Sequence, residues 1–300
     1  MGEVHIVDTT LRDGEQAVGI AFSKEEKIYI AKALCHLGIH YIEAGIPAMG
    51  GEEKETIKDL VKLELPADII AWNRAKKEDL QASLECGVSY VHISVPASDL
   101  HIEQKLNKNR QWILEKLAEC IVYAKEKGCR VSVGAEDASR ADQDFLIQLA
   151  LLARKEGAER LRYADTVGVL DPFKIYDHVQ NLLEKTNLDI EIHAHNDFGM
   201  ATANALAAVQ AGAKYISATI NGLGERAGNS SLEEVDHALK HIFNQNLGIK
   251  NDCLTKLCEY VARATNRELP VKKIGRPLGD QKLLNNYKDY GYSGKTYRSP

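Results

Sequence analysis

Short runs rich in β-branched residues recur along the chain at intervals of about 25 to 35 residues and predict strands. They are VHIVD (4–8), YIEAGI (41–46), DIIAW (68–72), YVHISV (90–95), RVSVGAE (130–136), RLRYAD (160–165), IEIHAH (190–195) and YISATI (215–220). Amphipathic stretches separate them. In KEEKIYIAKALCHLG, for instance, Ile28, Ala31, Leu34 and Cys35 recur at helical spacing and Gly38 supplies the stop. Eight strand–helix alternations describe a parallel sheet covered by helices, and eight strands suffice to close a barrel. The predicted class is therefore α/β, a (β/α)8 TIM barrel with a short C-terminal extension. An open doubly wound sheet is the alternative, but no G-x-G-x-x-G follows the first strand. The expected division is a barrel over 1–250, whose last helix covers about 232–246, then a helix over 251–265 and a tail. From Leu269 the chain turns basic, Gly-rich and Tyr-rich, which suggests loose packing or disorder.

Composition narrows the function classes. The 300 residues are 44% hydrophobic, enough for one sizeable core. The net charge of -5 arises from interspersed acids and bases, so no basic stripe points to nucleic acid or a membrane surface. Neither a spanning apolar run nor a signal-peptide pattern is present, and Ile6 rules out a myristoylation motif at Gly2; a soluble cytoplasmic protein is expected. The six cysteines, at 35, 86, 120, 129, 253 and 258, show no C-x-x-C spacing and read mostly as buried thiols. Cys253 and Cys258, five apart on a helix, need not face the same side.

Barrel chemistry sits at the C-terminal ends of strands, and here those positions are polar. Strand 1 runs into Asp8-Thr9-Thr10-Leu11-Arg12-Asp13-Gly14-Glu15-Gln16. Glu43 lies on strand 2, His92 and Ser94 on strand 4, Glu136-Asp137 at the end of strand 5 and Asp165-Thr166 at the end of strand 6. Strand 7 ends in H-A-H-N-D (193–197), and strand 8 leads to N-G-L-G-E-R-A-G-N (221–229). His193 and His195, two apart on a strand, project to one side and can share a metal ion. An isolated H-x-H is also compatible with a hydrogen-bonded core pair. Asp13 at another strand end and Asn229 at the end of the Gly-rich loop complete a mixed nitrogen and oxygen donor set suited to one divalent ion, Mn, Mg or Zn. Arg12, beside Asp13, can bind a developing oxyanion or an α-carboxylate; its structural alternative is an ion pair.

The motifs D-T-T-L-R-D-G-E-Q (8–16), H-A-H-N-D and N-G-L-G-E-R-A-G-N together resemble the DRE-TIM metallolyases, over about residues 3–270. Segments Y-I-E-A-G-I-P-A-M-G (41–50), A-W-N-R-A (71–75), V-H-I-S-V-P-A-S-D (91–99) and G-A-E-D-A-S-R-A-D (134–142) look most like nitrogenase-associated homocitrate synthases. The resemblance implies metal binding by Asp13, His193, His195 and Asn229, and catalysis by Arg12 and Glu136. Substrate contacts implied or suggested at strand ends are Arg12, Gln16, Glu43, His92, Glu136 and Thr166. Arg74, just past strand 3, is a candidate partner for a distal carboxylate, or else a solvated loop cation. Gly134 and Ser132 leave space beside it. The implied reaction is a Claisen condensation of acetyl-CoA with 2-oxoglutarate to homocitrate.

One departure stands out: synthases of this family continue into a helical segment with an E-S-G-I-H-like motif whose His assists enolisation, and nothing after Leu269 matches it. Tyr287, Tyr290 and Tyr292 are substitute candidates. The alternatives are a complementary chain carrying that segment, or a lyase of the hydroxymethylglutaryl-CoA type that needs only the barrel. Leu223, Gly224 and Glu225 follow the synthase pattern where the lyase branch carries a Cys. A homodimer is the expected assembly.

Overall fold

The computed structural model describes residues 2–268, so the tail from Leu269, including Tyr287, Tyr290 and Tyr292, lies outside the described residues. Eight parallel strands close a barrel in sequential order: β1 (His5–Asp8), β2 (Tyr41–Gly45), β3 (Asp68–Arg74), β4 (Tyr90–Pro96), β5 (Arg130–Glu136), β6 (Arg160–Asp165), β7 (Asp189–Ala194) and β8 (Tyr215–Ala218). Each strand is followed by a helix: α1 (Lys24–His36), α2 (Gly51–Lys62), α3 (Lys77–Glu85), α4 (Arg110–Glu126), α5 (Gln143–Lys155), α6 (Pro172–Thr186), α7 (Ala201–Ala211) and α8 (Leu232–Ile242). The predicted α/β barrel is the fold observed. A ninth helix, α9 (Asn251–Ala264), packs back on the barrel through Tyr29 and Tyr260, whose rings lie 4.0 Å apart, and through Asn221, which donates to the Cys258 carbonyl.

Local chemistry explains the helix starts. Ser23 and Glu26 form a reciprocal capping box on α1, while Asn109, Asp142, Asp171 and Ser231 cap α4, α5, α6 and α8. Each such cap is typically worth about 1 kcal/mol. The buried face of α1 is Lys27, Ile30, Ala31 and Leu34, with Ile28 and Cys35 only at its edges, so the inward stripe is rotated from the predicted one. Its cause is Lys27, whose ammonium is drawn inward by Glu15 and Glu53 at 2.6 and 2.5 Å. Cys86, Cys120, Cys129 and Cys258 are buried, whereas Cys35 is half-buried and Cys253 exposed.

Inside the barrel the layers differ in kind. At the N-terminal end, Tyr41, Tyr90 and Tyr215 surround the guanidinium of Arg160, whose Cζ lies 5.2, 5.1 and 4.5 Å from their ring centres. Above it, buried Glu191 accepts from Arg160 and Arg162, each at 2.6 Å, and Arg162 reaches across to Glu43 at 2.6 Å. Arg12 closes the chain on Glu43 at 2.6 Å. These alternating charges form the floor of the barrel mouth.

Candidate active site

The strand ends bring Asp13, His193 and His195 together, all buried and with one donor atom from each within 4.8 Å of the others. Asp13 Oδ2 lies 3.6 Å from His193 Nε2 and 4.0 Å from His195 Nε2, and the two Nε2 atoms are 3.3 Å apart. Burial lowers the pKa of His193 to about 3 and also lowers that of His195, which keeps both imidazoles neutral with a lone pair to share. For Asp13 burial acts upward, but Arg12, His193, His195 and the Asn229 amide outweigh it and hold the carboxyl at about 2. Asn229 arrives through the loop after β8, which returns to pair with the end of β7 as an antiparallel bridge between His195 and Asn229. Asn229 Nδ2 donates to Asp13 Oδ2 and to the Leu223 carbonyl, at 2.5 and 2.8 Å, while its Oδ1 is buried without a hydrogen-bond donor. Neutral imidazoles, an ionised carboxylate and an orphaned amide oxygen fit the donor set for a divalent cation.

Asp13, His193 and His195 form one wall of a cavity of about 280 Å³ at the C-terminal end of the barrel, with Asn229 behind them against Asp13. Of the suggested substrate contacts, Arg12, Gln16, His92, Glu136 and Thr166 line it, together with Trp72, Ser94, Lys105, Gly134, Arg162, Ala164 and Glu225. Arg12 is spread between three partners: Nε donates to Glu43, and Nη1 donates to Asp13 at 2.7 Å and to Gln16 at 3.1 Å. No described residue accepts from its Nη2. Its Cζ stands 5.9 Å from the Trp72 ring centre. A larger cavity of about 370 Å³ opens at the N-terminal end, among residues 2–6, 38–41 and 245–249, away from the Asp13, His193 and His195 cluster.

Three expectations are corrected. Arg74 shares the parity of Trp72, yet it sits at the strand's end and turns outward: Nε and Nη2 both reach Asp79 of α3 at 2.8 Å, and it does not line the cavity. Glu43 does not reach the cavity either, because its fully buried carboxylate is consumed by Arg12 and Arg162, which hold its pKa well below the ordinary value against the effect of burial. The space expected at Gly134 is filled by His92: a Cβ there would lie 2.5 Å from Nε2, and Ser132 pins the ring through Nδ1 at 2.9 Å. Burial, reinforced by Arg162, holds His92 neutral.

Arg162, which lines the cavity, was missed, as was the buried Arg160–Glu191 pair that supports it from below, although R-L-R placed charges at alternating strand positions, a detectable inward signal. Also missed was Arg226, which ties three strand-end loops together by pairing with Asp197 at 2.7 Å and donating to the Thr166 carbonyl at 2.7 Å.

The HMGL-like family profile matches residues 3–261. The chain belongs to the HMGL-like family. Among its relatives, 2-isopropylmalate synthase 2 of Caldanaerobacter subterraneus subsp. tengcongensis is 56% identical over 270 residues, covering 90% of this chain and 70% of the other. Homocitrate synthase subunit alpha of Clostridium pasteurianum is 54% identical over 226 residues, 75% of this chain and 84% of that one. Homocitrate synthase 1 of Nostoc sp. is 48% identical over 273 residues, covering 91% and 72%. The hydroxymethylglutaryl-CoA lyase of Pseudomonas aeruginosa superposes with a TM-score of 0.79 at 20% identity, covering 95% of this chain and 98% of that one, a likeness of fold. No helix among the described residues of this HMGL-like chain is long and apolar enough to cross a membrane.

Proposed function

We propose that the chain condenses acetyl-CoA with 2-oxoglutarate, giving homocitrate and CoA, with a divalent ion held by Asp13, His193, His195 and Asn229. The observation that carries the choice of 2-oxo acid is the cavity lining: Trp72, Gly134 and Ala164 are its apolar members, and no Leu, Ile, Val or Met among the described residues reaches it. A branched aliphatic side chain gains little from such walls, whereas a second carboxylate finds polar partners and cations. Relatives named as homocitrate synthases support the same choice, while the match to a 2-isopropylmalate synthase makes 2-oxoisovalerate the competitor to test.

When bound, a divalent ion supplies Lewis-acid polarisation of the 2-oxo acid's oxygens. The protein's own groups do the rest. Glu136 accepts a methyl proton from acetyl-CoA, the enolate carbon forms the new bond to the ketone carbon, and the Arg12 Nη2 donor faces the negative charge developing on the ketone oxygen. Protonation of that oxygen and hydrolysis of the thioester release the hydroxy acid and CoA. Thr166, whose oxygen already accepts from the Asp137 N–H at 2.8 Å, retains its own proton to donate to the 2-oxo acid.

The test is thiol release from acetyl-CoA with Mn, Mg or Zn and a panel of 2-oxoglutarate, 2-oxoisovalerate and pyruvate, with products identified by mass. The highest kcat/KM is expected with 2-oxoglutarate; preference for 2-oxoisovalerate would sink the homocitrate reading. A second reading, that a partner chain is required for turnover, draws on the relative named as a subunit alpha. Turnover by the chain alone at about 1 to 10 per second excludes it.

A further inference from the structure

A single π-helical turn, Leu100–Lys105, follows β4 and leans over the end of β5. Here the turn delivers two nitrogen donors to one oxygen. Lys105 Nζ lies 3.0 Å from Glu136 Oε1, and His101 Nδ1 lies 3.2 Å from the same atom. Every contact that the described residues make to this carboxylate falls on Oε1. Glu136 and Lys105 both line the cavity that holds the metal-ligating cluster.

The far side of the His101 ring decides its tautomer. Nε2 faces Arg140 Nη2 at 3.4 Å and Asp137 Oδ2 at 3.7 Å; only the arginine, which can only donate, is within hydrogen-bond reach, so the neutral ring accepts at Nε2 and carries its proton on Nδ1. Arg140 is itself fixed by Asp137, which also accepts from Ser98, and the Ser98 hydroxyl accepts from the His101 backbone N–H at 3.3 Å. The Nδ1 proton therefore faces Glu136. Nδ1 is buried and its approach to Oε1 is not yet aligned as a hydrogen bond, the loose geometry often seen before substrate tightens a site.

We propose that His101 and Lys105 are positioning residues for the base: together they hold Glu136 by Oε1 and leave Oε2 to take the acetyl-CoA methyl proton. The C–H bond breaks as the O–H bond to Oε2 forms, the electron pair stays on carbon for the attack on the ketone, and the proton later leaves Glu136 to solvent. This inference rests on the condensing reading above and gives this chain its own device for orienting the enolising carboxylate.

The experiment compares wild type with His101→Leu, His101→Asn, His101→Gln and Lys105→Ala in the thiol-release assay, using ordinary and methyl-deuterated acetyl-CoA. In His101→Leu, kcat is expected to fall about 10- to 100-fold, with the KM for 2-oxoglutarate within about 2-fold and a larger isotope effect, because proton abstraction becomes more limiting. Lys105→Ala should fall about 3- to 10-fold in the same way. Asn places an amide donor where Nδ1 stood and should restore part of the loss, while Gln, which mimics Nε2, should not. Should the Leu variant fail to fold, the Asn and Gln pair carries the comparison. An unchanged kcat, a loss confined to KM, an unchanged isotope effect, or equal behaviour of Asn and Gln overturns this inference alone. If wild type releases no CoA with any of the acids, the condensing reading falls and takes this inference with it.

Discussion

Arg12 is asked to do two things that a simpler cation cannot combine. Its planar fork pairs with Glu43 through Nε and with Asp13 through Nη1, and leaves Nη2 without an acceptor among the described residues at the edge of the cavity it lines. A lysine ammonium is a point charge that cannot hold both carboxylates and face substrate at once. Arg12→Lys is therefore expected to lower kcat by about 100-fold or more, the scale of losing one oxyanion donor, while leaving the protein folded. Steady-state kinetics beside a thermal melt checks this; a fall confined to KM would show that Arg12 only binds. Gly134 poses a simpler steric question. A Cβ there meets His92 Nε2 at 2.5 Å, and Ser132 holds the opposite ring nitrogen, so the ring cannot swing aside cheaply. Gly134→Ala should raise the KM for the 2-oxo acid about 10-fold or more, in line with the cost of overpacking; wild-type kinetics in that variant would show that His92 moves freely.

The loop after β8 shows how a backbone conformation, rather than a side chain, assembles the site. Asn221, Gly222, Arg226 and Gly228 have φ of 59°, 64°, 55° and 92°, left-handed turns that fold the chain back so that Asn229 lands beside Asp13. At Gly228 a Cβ would lie 2.0 Å from the Gly222 carbonyl oxygen, a backbone atom with nowhere to go. Gly228→Ala should cost about 1 to 3 kcal/mol and weaken metal binding more than it weakens the fold. Metal titration followed by calorimetry measures the first effect and thermal unfolding the second; unaltered metal affinity would place Asn229 outside the ligand set. The same loop marks the boundary of what was legible beforehand. That His193 and His195 project to one side was readable because residues two apart on a strand share a face, and Asn229 was singled out as the end of a Gly-rich loop after the last strand. Of the two readings of Arg74, the carboxylate partner fails for the complementary reason: parity directs it inward, but at the last residue of β3 it is Asp79, from the next helix, that captures it and leaves it exposed. His101 carried no periodic signal, since a π-helical turn follows neither the strand nor the α-helix repeat.

At the scale of the whole molecule, the barrel interior is a column of alternating charge rather than an oily plug. Glu191 is fully buried and serves Arg160, Arg162 and the Ser217 hydroxyl at once. Removing its charge leaves two buried guanidinium groups short of a partner, so Glu191→Gln should destabilise the fold by about 3 to 5 kcal/mol near neutral pH. The pH dependence gives an independent check. Burial acts to raise the Glu191 pKa, but Arg162 and Arg160 outweigh it and hold the carboxyl at about 2, below its ordinary 4.5. A carboxylate with a depressed folded pKa contributes its full stability above the unfolded value and loses it as pH falls between the two. The wild-type advantage over Glu191→Gln should therefore be constant above about pH 5 and shrink steadily toward about pH 3. Asp8 provides the opposite sign: burial raises its pKa from 3.8 to about 7, so folding favours its protonated form and its contribution declines as pH rises across that interval. Asp8→Asn should accordingly gain on wild type between about pH 4 and 7 while Glu191→Gln stays parallel to it above about pH 5. Denaturant melts of the three proteins across this range decide the matter. A gap between wild type and Glu191→Gln that does not narrow in acid would mean that Glu191 is not held ionised by its two arginines, and that the charge column is stabilised by packing instead.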